Sequence, residues 1–149
     1  MPYVVETSVG LDRMFLSVLS NAYTEEKLED GSERVVLRIP PALAPIKLAV
    51  FPLTKKDGLP EVAKEIMAEL KFDYNCLYEE KDAIGRRYRR MDAIGTPFCI
   101  TVDHQSLEDK TVTIRYRDSM KQERIAIEEL SSKLDQETNM KNLLKQLNA

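Results

Sequence analysis

Three residues near the start of the chain, Glu6, Ser8 and Arg13, are of types suited to holding a small charged substrate. They fall in the run "ETSVGLDR", where a glycine turn leads into a helical pattern. An arginine at a helix start can reach a phosphate, because unpaired amides and the positive end of the helix dipole gather there. Glu6 and Ser8 alternate with Thr7 along a strand and can point into one cavity, the carboxylate toward an ammonium and the hydroxyl toward a carboxylate or carbonyl. The plainer reading is a capped helix with Asp12 and Arg13 as solvated charges, and the GxDR pattern is too short to exclude it.

Two further groups could act on a polyanion. Arg86, Arg87, Arg89 and Arg90 surround Tyr88, and on a helix Arg86 and Arg90 stand one turn apart, placed to clamp phosphates or stack on bases. The alternative is a solvated helix face balanced by Glu79, Glu80 and Asp92. Thr101, Asp103, Arg115 and Arg117 lie on strand-like runs and could present donors and acceptors to the edges of splayed bases, or form ordinary cross-strand ion pairs. One histidine, His104, gives no Ser-His-Asp set, and neither a P-loop nor a GxGxxG is present. Cys76 and Cys99 sit in apolar runs without CxxC spacing, which fits buried free thiols in a reducing compartment and no metal site.

These candidates need elements to hold them. "YVVET" reads as a short buried strand, and Met14, Phe15, Val18, Leu19 and Ala22 give a helix from the turn to about Tyr23. "TEEKLEDGSER" reads as a solvated loop or a frayed helix end, and the prolines of "IPPALAP" mark a stiff connector and domain boundary. Beyond it, "IKLAVFPL", "FDYNCLY" and "PFCITVD" are strands separated by a helix opened at Pro60 and a second helix closed by Gly95. That order implies parallel pairing with right-handed crossovers. "TVTIRYRD" and "QERIAIEEL" add an antiparallel hairpin, with His104 as a polar turn residue before it, and a helix from about Ile127 closes the chain. The expected fold is α/β: a mixed, mostly parallel sheet of about five strands flanked by helices, preceded by a strand-helix unit.

Bulk composition sets limits. With 149 residues, 43% hydrophobic and 32% charged, the chain is one full-sized domain with a short appendage, not a disordered segment. A net charge of -3 excludes general adhesion to polyanions, so nucleic acid would have to meet a local basic patch. No apolar run approaches the ~20 residues that span a bilayer, and no leader pattern is visible, so the expectation is a cytoplasmic protein without membrane contact.

The blocks "PYVVETSVGLDRMFLSVLSNAY", "LAPIKLAVFPL", "KKDGLPEVAKEI", "IGRRYRRMDAIGTPFCITVD" and "DKTVTIRYRDSMKQERIAIEEL" occur in an order that resembles the C-terminal part of class II glycyl-tRNA synthetases of the homodimeric α2 type. The first block is similar to motif 3 of that family, and the others to its anticodon-binding domain. The resemblance implies a catalytic-domain end at residues 1–38, a connector at 39–46 and an anticodon-binding domain at 47–149. It implies that Glu6 and Ser8 hold glycine and Arg13 holds ATP in a full-length parent enzyme, with Thr7 where many relatives have proline. It also implies that Arg86, Arg87, Arg89, Arg90, Thr101, Asp103, Arg115 and Arg117 meet the anticodon stem-loop of tRNA(Gly). The parent would be a homodimer using ATP and Mg2+, with no DNA partner. Motifs 1 and 2 would precede residue 1, so this chain alone is expected to bind no cofactor and form no glycyl-adenylate. Two alternatives stand beside this expectation: a free-standing anticodon-domain paralogue acting as a non-catalytic RNA-binding or accessory module, and a small α/β protein whose arginines are merely solvated.

Overall fold

The computed structural model describes residues 3–28 and 31–147. Its first helix, α1, spans Leu11–Ala22, as the apolar spacing predicts. Residues 3–10 before it form no strand and are exposed, which corrects the strand expected in "YVVET". A strand is stable only when a neighbour takes its backbone hydrogen bonds, and among the described residues none lies beside this segment. The "TEEKLEDGSER" stretch is likewise not a loop throughout. Strands β1 (Tyr23–Lys27) and β2 (Glu33–Leu37) flank its centre and pair antiparallel, Glu25 opposite Val35; Glu29 and Asp30 fall outside the described residues.

The larger sheet has five strands in the order β4-β3-β5-β6-β7. β3 (Leu48–Pro52) is buried at every residue, and β4 (Cys76–Tyr78) and β5 (Phe98–Val102) pair parallel on its two sides. β6 (Thr111–Tyr116) and β7 (Gln122–Ala126) then run antiparallel to their neighbours, so four of the five strands share one direction. β4 is shorter than the expected strand, because the segment before it continues α2 as a turn, with the Tyr74 amide donating to Leu70 O.

Helices cover both faces. α2 (Leu59–Leu70), with Pro60 in its first turn, buries Leu59, Ala63, Ile66 and Leu70 on one face against Leu48, Val50, Ile100 and Ile114. The C-terminal segment supplies Leu130 and Leu134 to the same core, but as two helices, α5 (Leu130–Thr138) and α6 (Met140–Leu147), interrupted at the extended Asn139. α3 (Ile84–Ile94) covers part of the opposite face, packing Met91, Tyr88 and Ile84 on Ala49, Phe51 and Cys99. Burying such side chains is worth about 1.5–3 kcal/mol each, and this core fixes where α3 stands on the sheet.

Two short features matter for the surface. Gly95 ends α3 in the left-handed region at φ +84°, and a Cβ there would stand 3.1 Å from Leu37 O and 3.3 Å from Ile39 Cδ1. Glycine therefore serves both the helix end and the close approach of the β1–β2 hairpin. His104 opens a helix instead of sitting in a turn: α4 spans His104–Asp109, with Asp103 as its N-cap in a capping box with Ser106. Among the described residues no helix is long and apolar enough to cross a membrane.

Candidate nucleic-acid interface

Alternation along β5, β6 and β7 separates two faces. Phe98, Ile100, Val102, Val112 and Ile114 enter the core under α2 and α5. Their neighbours Cys99, Thr101, Thr113, Arg115, Gln122 and Arg124 point to the side where α3 lies, with Thr101 opposite Thr113, Thr113 opposite Arg124 and Arg115 opposite Gln122. α3 packs on Ala49 and Phe51 of β3 and Cys99 of β5 and lies against β2, so the strip beyond it stays at the surface: Thr113 and Arg124 are half-buried and Gln122 is exposed.

The strip is polar and largely pre-set. Arg124 donates to both oxygens of Asp103, Nη1 to Oδ2 at 2.6 Å and Nη2 to Oδ1 at 2.8 Å, and Nε donates to Thr111 Oγ1 at 2.6 Å. Asp103 Oδ1 also accepts the Ser106 amide at 3.1 Å. The Arg124 guanidinium, followed by the Ser106 donors, holds the Asp103 carboxyl down at about 2, so it is ionised at neutral pH. Next to this pair, the Tyr88 hydroxyl and Thr101 Oγ1 lie 2.7 Å apart. One of the two hydroxyl protons is used in that bond, which leaves one O–H and free lone pairs. Thr113 and Gln122 add a hydroxyl and an amide. This is a row of fixed donors and acceptors, suited to the edges of unstacked bases, and it carries no net charge of its own.

The sequence-predicted residues divide sharply. Asp103 belongs to the strip, whereas Thr101 is buried at 5% exposure with its hydroxyl bonded to Tyr88. Arg86 is exposed, and among the described residues its guanidinium has no partner, so it is the one arginine of the α3 cluster free to meet a phosphate. Arg89 is exposed but donates to Glu33 O at 2.9 Å and Ser32 Oγ at 2.8 Å, tying α3 to the hairpin. Arg90 is held by Glu79 and, at 3.0 Å, by Asp82.

Three predicted arginine contacts also face inward and are corrected here. Arg87 is 4% exposed, lies over the Phe51 ring and donates to Pro52 O at 2.6 Å and Asp82 O at 2.9 Å. Arg115 is 5% exposed and forms a two-pronged pair with Asp92. Arg117 is 2% exposed and is used by Gly95 O and the Asp118 carboxylate, each at 2.8 Å. All three spend their donors on acceptors of the protein itself, among them Pro52 O, the buried Asp92 carboxylate and Gly95 O.

At the start of the chain Glu6, Ser8 and Arg13 are exposed, and no side-chain hydrogen bond or ion pair joins them among the described residues. Arg124, Thr113 and Gln122 are strip residues that the motifs did not point to. Their signal was available in the alternation of "QERIA" once it is set in register with "TVTIRY". Cys99 is buried, and burial raises its thiol to about 12; Cys76 is half-buried and raised to about 11 for the same reason. Neither is a nucleophile at neutral pH. A separate cleft of about 420 Å³ beside Glu69, Asp109, Lys110 and Glu128 is mostly acidic and ill-suited to a phosphate backbone.

A family model described as "Anticodon binding domain" matches residues 47–137. Glycine--tRNA ligases are similar to the chain: that of Borrelia hermsii (strain HS1 / DAH) is 52% identical over 132 residues, covering 89% of this chain and 30% of the relative. That of Treponema denticola (strain ATCC 35405 / DSM 14222 / CIP 103919 / JCM 8153 / KCTC 15104) is 53% identical over 146 residues, 95% of this chain and 32% of the relative. The chain thus spans about a third or less of the length of these relatives. Among solved structures, the RNA binding domain of threonyl-tRNA synthetase from Cryptosporidium parvum Iowa II superposes with a TM-score of 0.61 at 21% identity, over 67% of this chain and 25% of that one. Prolyl-tRNA synthetase from Cryptosporidium parvum, complexed with L-proline and AMP, gives 0.62 at 20% identity, over 83% of this chain and 35% of that one. These two likenesses concern the fold alone.

Proposed function

Because the chain belongs to the anticodon binding domain family, we propose that it recognises the anticodon stem-loop of tRNA(Gly) as part of a glycine-tRNA ligase. The observation that carries this reading is the strip beside α3, where the half-buried Tyr88 and Thr113, the exposed Gln122 and the locked Asp103–Arg124 pair offer fixed donors and acceptors. Unstacked bases are read by hydrogen bonds to their edges, while phosphates are met by cations such as Arg86. A strip without net charge contributes discrimination more than bulk attraction, which accords with the net charge of -3.

In this proposal the parent enzyme is a cytoplasmic homodimer that joins glycine to tRNA through an adenylate, using ATP and Mg2+. Glu6 and Ser8 serve glycine and Arg13 serves ATP only inside that assembly. Their exposure in this chain is the reason to expect no adenylate formation by it alone. Residues 39–46 would connect the catalytic part to the anticodon-binding part.

A titration of the chain against the anticodon stem-loop of tRNA(Gly) and an anticodon-substituted copy, at one fixed salt concentration, tests the reading. The matched loop is expected to bind at least tenfold more tightly, since each base contact contributes on the order of 1–3 kcal/mol. Equal affinity for both would reduce the interaction to phosphate attraction and sink the proposal.

A further inference from the structure

Beneath the strip runs a buried polar chain that reaches the β1–β2 hairpin. Asp92, fully buried, accepts from Arg115 twice, Nη1 to Oδ1 at 2.8 Å and Nη2 to Oδ2 at 3.0 Å, and from Arg34 Nε to Oδ2 at 2.9 Å. Arg34 belongs to β2, is 3% exposed, and also binds Glu26 at 3.1 Å and the Arg117 carbonyl. On the other side, the Arg115 guanidinium lies 4.7 Å from the Tyr88 ring centre. That ring leans on Phe51 at 5.9 Å, and its hydroxyl meets the buried Thr101 at the edge of the strip.

We infer that Arg34 is a positioning residue for RNA recognition: through Asp92 and Arg115 it sets the Tyr88 ring, and with it the Tyr88–Thr101 hydroxyl pair, although Arg34 itself lies away from the strip. This inference rests on the anticodon reading above. Two guanidiniums share one carboxylate, and their like charges keep Arg115 to the Tyr88 side of Asp92. Without Arg34, the Asp92 carboxylate loses a donor and Arg115 can recentre on it, withdrawing from the ring. Tyr88 then keeps Phe51 but loses its second wall. The close packing of protein interiors transmits such a shift to the hydroxyl, and a hydroxyl displaced from Thr101 presents a different donor pattern to a base.

The test uses the whole 149-residue chain with 3-fluorotyrosine at position 88 and two substitutions, Arg34→Met and Arg34→Lys. Arg34→Met still leaves Asp92 paired with Arg115, so a folded protein is expected, checked by cooperative urea unfolding. Its fluorine resonance should move, and its affinity for the matched stem-loop should fall about fivefold, within the coupling measured between linked residues. Arg34→Lys keeps the charge but cannot serve Asp92, Glu26 and the Arg117 carbonyl together, so both signals should move part of the way. In a Tyr88→Phe background, which lacks the hydroxyl, Arg34→Met should weaken binding no further.

A lowered stability with an unmoved fluorine resonance and unchanged affinity would make Arg34 a purely structural clamp and overturn the inference; so would full additivity with Tyr88→Phe. If Arg34→Met does not fold, the Arg34→Lys resonance decides alone, and its absence of shift is a negative result. Failure of the anticodon reading is separately visible, because the unsubstituted chain would then bind matched and substituted loops alike.

Discussion

The two ends of one sheet face use the same residue types for opposite purposes. At one end Asp92, Arg115 and Arg117 are enclosed beneath the hairpin together with Arg34 from the hairpin itself, none more than 5% exposed. At the other, Arg124 and Asp103 form an equally well-aligned pair with about a quarter of each side chain in contact with water. The difference lies in cover. Where the hairpin and the end of α3 close over the face, arginines are consumed by buried acceptors and bind the domain together. Where neither reaches, the same chemistry remains available to a ligand. Residue type alone does not separate an enclosed structural arginine from one open to a ligand; burial does.

The comparison breaks most visibly at Asp92. Asp92→Ala leaves Arg34 and Arg115 buried without their shared carboxylate, which should cost about 3–5 kcal/mol. A urea midpoint unmoved by this change would contradict the closed-end account. At the open end, Arg124→Ala should have a smaller effect and a different kind: about a tenfold loss of affinity for the matched stem-loop with little loss for a substituted one. A uniform loss across both loops would instead place Arg124 among the phosphate contacts.

The third expectation concerns acid. Asp103 has its folded-state value depressed to about 2 from an ordinary 3.8, by Arg124 first and then by Ser106. A depressed carboxyl contributes stability that is complete above the unfolded value and is lost as pH falls through the folded one. Stability should therefore decline between about pH 4 and pH 2, by on the order of 1 kcal/mol once solvent screening of a partly exposed pair is allowed for. Asp103→Asn should remove this part of the decline, read from urea unfolding at a series of pH values. An unchanged acid slope would show that the open-end pair is too well solvated to hold its geometry.

Much of this molecule is legible in its sequence. The apolar run at Leu48–Pro52, the stripe of α2 and the Gly95 stop signal each have one physical solution, and the five-stranded mixed sheet follows from their order. The strand expected at "YVVET" is absent, because a strand depends on a neighbour that periodicity cannot supply. The β1–β2 hairpin was hidden by its acidic composition: Glu25 and Glu26 show little preference for strands, and the pairing with Arg34 and Val35 overrides them. The family resemblance, read from long blocks in order, agrees with the matched domain at residues 47–137.

The candidate site was legible only in part. Asp103 and Arg86 could be proposed from type and placement, whereas Arg87, Thr101, Arg115 and Arg117 drew the same proposal and are buried. Local pattern fixes which face of its own element a side chain takes, since 3.6 and 2 residues per repeat are properties of the backbone. It does not fix what lies opposite that face. Whether an arginine meets solvent or a buried carboxylate was decided by contacts as distant in sequence as Arg34 and Asp92, and only the packed tertiary structure brings those together.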